Sequence, residues 1–144
     1  MTSLEILERA LVALEENQPL LAWCQEHYRR TPTVDFDPDD DAPKDPGTYP
    51  LIEIRELAHE SENTSNDRQM LGWVVGMAIK DDGTATFAGR ERPVGKIRIR
   101  QLRLLVEAAL KSASLGKVQT GGTVETENLH PLYAAATTVQ ITFK

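Results

Sequence analysis

The first 28 residues alternate apolar and polar positions with a helical period. Ile6, Leu7, Ala10, Leu11 and Leu14 fall on one face, and Ser3 stands where a cap belongs. This spacing predicts a helix that stops near Glu16 or Asn17, just before Pro19. A second short helix follows from about Leu20 to Tyr28, with Leu20, Leu21, Cys24 and His27 near one side. Farther on the period becomes two. Leu51, Glu53, Arg55 and Leu57 alternate with Ile52, Ile54 and Glu56, which reads as a strand. Residues 58–69 are polar and read as a hairpin or loop. Met70 to Lys80 is the strongest strand candidate, with bends or bulges at Gly72 and Gly76. Asp81-Asp82-Gly83 is a turn sequence, and Thr84 to Gly89 is either a short strand or part of a long loop.

The pattern then changes from alternation to helical spacing. Ile99, Leu102, Val106, Ala109 and Leu110 share one face, with Leu105 beside it, so a helix is expected from about Ile97 to Ser114, ended by Gly116. Lys117 to Leu129 reads as extended chain with a bend at Gly121-Gly122. In the last segment Val139, Ile141 and Phe143 face one way and Gln140, Thr142 and Lys144 the other, a terminal strand with an inside and an outside. Strands joined by turns favour a largely antiparallel or mixed sheet of four to five strands, with the amphipathic helices packed on one face. The expected class is α+β, in one domain over residues 1–144. The Met70–Lys80 strand and the terminal strand are the expected edges for pairing between subunits.

One stretch resists this pattern. Thr31 to Pro50 holds six Asp and five Pro and no apolar stripe. Such a segment buries too little to order itself alone, and a gap this long in a compact domain points to function or disorder. The expectation is a long acidic loop whose contact surface includes Asp37, Asp39, Asp40 and Asp41.

Charge is uneven along the chain. The net charge is −6, but residues 1–63 carry 15 acids and 5 bases, whereas residues 64–144 carry 7 acids and 11 bases. General nucleic-acid binding runs on phosphate neutralisation, and overall acidity argues against it. Two surfaces of opposite sign suit head-to-tail packing of copies; plain solvation of both is the alternative. Hydrophobic residues make up 40% of the chain, enough for a core, and no apolar run is long enough to span a bilayer. The amphipathic start carries Glu and Arg throughout, unlike a signal peptide, so synthesis in the cytoplasm is expected. With Cys24 the single cysteine, an internal disulfide and a multi-cysteine zinc site are excluded.

Asp37, Asp39 and Asp41 alternate like the first ligands of a calcium loop, but the sixth and twelfth positions hold Ala42 and Thr48 where Gly and Glu are needed. Cys24 and His27, three apart on a helix, suit a thiol–imidazole pair, yet a cysteine among apolar residues is usually a small core hydrophobe. His59 and His130 lie in polar contexts without ligand spacing, and Glu53 and Glu56 fall on opposite faces of their strand. There is no H-E-x-x-H, no G-x-S-x-G and no Gly-rich phosphate loop. No catalytic residue, metal or cofactor is expected. The basic run is the stronger feature: Arg90, Arg92, Lys96, Arg98, Arg100 and Arg103 crowd into 14 residues with a single acid, Glu91. A solvated helix face, a contact with an acidic partner, and nucleic acid are the readings, in that order.

The order of segments resembles the small tail terminator and minor tail proteins of long-tailed bacteriophages. The Leu- and Ala-rich start LEILERALVALEENQPLLAW, the strand YPLIEI, the strand and turn MLGWVVGMAIKDDG, the helix IRQLRLLVEAAL and the final strand TTVQITFK carry the likeness over nearly the whole chain. The resemblance implies a structural protein, not an enzyme, that forms a six-membered ring and contacts tail-tube or connector proteins, in the virion tail once assembled. It implies contact roles for Arg98, Arg100 and Arg103, and ordering on assembly for the 31–50 and 58–67 loops. Reversal of Arg98, Arg100 and Arg103 together is expected to abolish assembly and spare the fold. A bacterial protein-interaction adaptor is the alternative class.

Overall fold

A computed structural model of the chain describes residues 1–38, 45–61 and 68–144. Helix α1 spans Ser3–Glu16, one residue after the cap: Thr2, not Ser3, accepts the Glu5 N–H, while the Glu5 carboxylate takes the Thr2 N–H in return. Asn17 ends α1 and starts α2, Gln18–Tyr28, by accepting the Leu20 N–H. Pro19 in the first turn of α2 has no N–H to lose there, so the two helices meet at a corner without a loop.

The acidic stretch holds a strand that its composition hides. β1, Thr33–Phe36, runs parallel to β2, Leu51–Ser61, with Thr33 beside Leu51 and Phe36 beside Ile54. Val34 packs against the core, and the Thr33 N–H donates to the Pro50 carbonyl at 2.8 Å. A short 3-10 turn, Pro46–Thr48, lies between them. β2 continues past the expected start of a loop at Ala58 and pairs antiparallel with β3, Gln69–Lys80. The rest of the expected loop, residues 62–67, lies outside the described residues, as do Asp39, Asp40 and Asp41.

β4, Thr84–Phe87, and β5, Arg90–Pro93, form a separate two-stranded hairpin. α3 spans Gly95–Lys111, and β6, Lys117–Leu129, and β7, Leu132–Phe143, close the chain as a second long hairpin. The five long strands form one mixed sheet in the order β1-β2-β3-β7-β6. This order overturns the expectation about edges. β3 is the central strand and β7 lies between it and β6, each paired on both sides, so neither the Met70–Lys80 strand nor the terminal strand is an edge. Among the described residues the edges are β1, the part of β2 beyond it, and β6.

All three helices lie on one face. Ile6, Ala10 and Leu14 of α1, Leu20 and Cys24 of α2, and the expected Ile99–Leu102–Val106–Ala109–Leu110 stripe of α3 form one core with Ile54, Trp73, Val75, Ile79, Val139 and Ile141 of the sheet. The structure is thus α+β with a five-stranded mixed sheet, as the patterning predicts. No described helix is long and apolar enough to cross a membrane.

Candidate interaction surfaces and the buried Asp81 hub

The expected basic face is divided between two elements. Arg90 and Arg92 stand on β5, whereas Lys96, Arg98, Arg100 and Arg103 stand on α3. Pro93 ends β5 and Val94 caps α3, so the alternation in the first half of the run is a strand and the helical spacing begins after it. The six cations are therefore not one helix face.

Arg98 serves inside the fold. Its guanidinium donates to Asp81 Oδ2 at 2.7 Å, and the Tyr28 hydroxyl donates to the same oxygen at 2.8 Å. The Gly83 N–H donates to Oδ1 at 2.8 Å. The Asp81 side chain is only 4% exposed and Arg98 is 29% exposed. Burial by itself would raise the Asp81 carboxyl, but bonds from Arg98, Tyr28 and Gly83 outweigh it and hold the group below the ordinary carboxylate range. The Tyr28 hydroxyl is pushed up, first by burial and then by the neighbouring carboxylate. Asp81 thus ties α2, the β3–β4 turn and α3 together. The sequence shows Asp81-Asp82-Gly83 only as a turn; nothing local marks Asp81 as the buried member. Arg103 lies 3.8 Å from Glu107, one helical turn on, and Lys96 and Arg100 are exposed.

Among the acids, Asp37 ends the β1 ladder. Its φ is 41°, which turns the chain out of the strand; its N–H donates to the Ile54 carbonyl and its carboxylate accepts the Glu56 N–H at 3.2 Å. Asp35, Asp37, Glu56 and Glu60 are all exposed along this edge. Glu53 is buried, with Arg55 donating to it at 3.0 Å. Glu53 pairs with Gly76 and exposed Glu56 with Trp73 of the core, which puts them on opposite faces of β2.

Cys24 is wholly buried, and burial pushes its thiol up to about 11. His27 lies with its ring 5.0 Å from that of Trp23. A thiol this hard to ionise is a poor nucleophile. His59 pairs with Gln69 at 2.9 Å and His130 with the Tyr133 hydroxyl at 3.1 Å, at separate turns of the sheet. Among the described residues no group of three or more His, Cys, Asp or Glu is placed to hold a metal ion.

The face of the sheet away from the helices has a patch of small residues at its centre. Gly76, Ala78, Ala134 and Ala136 floor a shallow groove of about 270 Å³, and Glu53 and Arg55 stand at its side. The charge asymmetry of the sequence takes a spatial form: acids line the β1–β2 edge, and Arg90, Arg92, Lys96 and Arg100 sit on β5 and the start of α3. In comparisons with known proteins, no family model and no curated protein matches the chain.

Proposed function

We propose that the chain is a non-catalytic structural assembly protein of the phage or prophage tail terminator kind, which builds a ring through contacts between its own copies and presents that ring to tail-tube or connector proteins. The observation that carries this reading is the sheet order. Among the described residues, β6 at one side and the Arg55–Ser61 part of β2 at the other have no strand beyond them, so one sheet ends in two different open edges. Open edges recruit strands. Two unlike surfaces on one chain make heterologous contacts, and these close into rings when the rotation permits. The acidic β1–β2 edge and the basic β5–α3 region add charge complementarity between copies.

The triple Arg reversal is a poor probe of this reading, because Arg98 holds Asp81 within the fold. Arg90, Arg92, Lys96 and Arg100, with Asp35, Asp37 and Glu56 opposite, are the better contact residues. An adaptor that binds an extended or helical segment is the second reading, favoured by the small-residue groove on the open sheet face. Size exclusion with light scattering, over about a hundredfold in concentration and at low and high salt, tests the first reading. A salt-sensitive, concentration-dependent step to a closed oligomer, seen as rings by electron microscopy, is expected. A monomer at every concentration and salt overturns ring formation by the chain alone.

A further inference from the structure

We propose that the β4–β5 hairpin is an arm whose tip seats in a cleft of the next copy, with Phe87 as the apolar anchor and Arg90 facing Glu56. This inference rests on the self-assembly reading and names its contact.

The hairpin is unusual within this fold. It forms its own two-stranded sheet, and none of its side chains joins the core. Two strands of four residues are at best marginally stable alone in water. Its base, in contrast, is held firmly. Asp81 fixes the turn before β4 by accepting from Gly83 and Arg98, and the Val94 N–H after β5 donates back to the Gly83 carbonyl. A rigid root carrying an unsupported tip suits a projecting contact element. The tip turns through Ala88 and Gly89, both at positive φ (49° and 77°).

Register makes the arm two-sided. Phe87 faces Arg90 across the hairpin and Ala85 faces Arg92, so these four share one face, while Thr84, Thr86, Glu91 and Pro93 share the other. One face thus offers an aromatic ring, 39% exposed, with two cations beside it.

A matching cleft lies at the other end of the sheet. Between the start of α1 and the end of β1, Leu4, Leu7 and Phe36 stand over Trp73, and Glu56 closes one side. Its volume is about 190 Å³, and a dry apolar cavity of about 150 Å³ takes a benzene ring. Leu4 is 62% and Phe36 38% exposed, large apolar groups that a Phe ring would cover. Glu56 puts a carboxylate at the wall of the cleft, and the exposed Asp37, whose carboxylate accepts the Glu56 N–H, stands beside it, the complement of Arg90 and Arg92. Within one molecule the two parts cannot meet. The cleft is at Trp73 and the arm leaves after Lys80, about 23 Å farther along β3 at the rise of an extended strand. The root of the arm is pinned at Gly83, which donates to Asp81 Oδ1 and accepts the Val94 N–H; from there the strand reaches only about 13 Å and no arm residue lines the cleft, so a second copy supplies it.

The test is a directed disulfide. A88C beside the anchor and L4C at the cleft mouth are made in separate proteins, mixed at a concentration where the wild type is oligomeric, and oxidised; native Cys24 is buried. A covalent dimer containing one of each variant is expected in the mixture and in neither protein alone. F87S with R90E should weaken association about tenfold or more with the urea midpoint unchanged, since both side chains are exposed. E56R in the cleft-bearing chain should restore binding to R90E. Retention of oligomer mass by F87S/R90E, or no mixed disulfide from an oligomeric protein, overturns the arm contact and leaves the assembly reading standing. A wild type that stays monomeric overturns both, and cross-linking through A88C to a different protein assigns the arm to another partner and overturns the inference.

Discussion

Replacing Asp81 by Asn keeps the shape of the side chain and removes its charge. The Gly83 N–H keeps an amide oxygen to bond, but the Tyr28 hydroxyl and the Arg98 guanidinium, 2.8 and 2.7 Å from Oδ2, then face an NH₂ group. A hydrogen bond to a charged partner contributes about 1.5–3 kcal/mol. Arg98 is 29% exposed and regains water when released, so its share falls at the low end. The loss at pH 7 comes to about 3 kcal/mol. With a urea slope of about 2 kcal/mol per molar, the unfolding midpoint should fall by about 1.5 M. The pH dependence gives an independent check. The folded carboxyl lies below its unfolded value, so its stabilisation is fully present above the unfolded pKa of about 3.9. It is lost as pH falls through the folded value. The gap between wild type and D81N should hold steady from pH 8 to 5 and narrow toward pH 3. A gap below about 1 kcal/mol at pH 7, or one that persists undiminished at pH 3, would refute the hub.

Two further outcomes follow from packing. A Cβ at Gly95 would stand 2.1 Å from the Tyr133 ring, which is itself buried, so G95A should cost about 3 kcal/mol or more in a urea titration; Tyr133→Leu in the same chain should recover part of it, and a G95A protein as stable as the wild type refutes the close approach. Cys24, buried with its thiol near 11, should react with a thiol reagent at pH 8 only after denaturant is added, and rapid labelling of the native protein would show that α2 opens.

Most of what was legible in the sequence is periodic. The α3 stripe Ile99, Leu102, Val106, Ala109 and Leu110 is buried as its spacing requires, and so are Val139, Ile141 and Phe143 of β7. A helix or strand with one buried face must place apolar residues at its own period, so local order alone reveals it. Four features needed the tertiary structure. β1 is a strand because β2 supplies its hydrogen bonds; Thr, Val and Phe favour a strand, but four residues set among Asp and Pro are too short to show a period of their own. The sheet order puts β3 and β7 inside, because pairing joins segments far apart in the chain and periodicity carries no information about neighbours. The basic run broke at Pro93–Val94 into a hairpin arm and a helix, with Arg98 turned inward to a carboxylate 17 residues earlier. Asp81 itself reads as one of two turn aspartates, and became the buried hub only once α2 and α3 brought a hydroxyl and a guanidinium to it. Residue type and spacing determine which face of an element must be covered; which element covers it, and which charges meet there, is decided by contacts between segments that the chain order leaves apart.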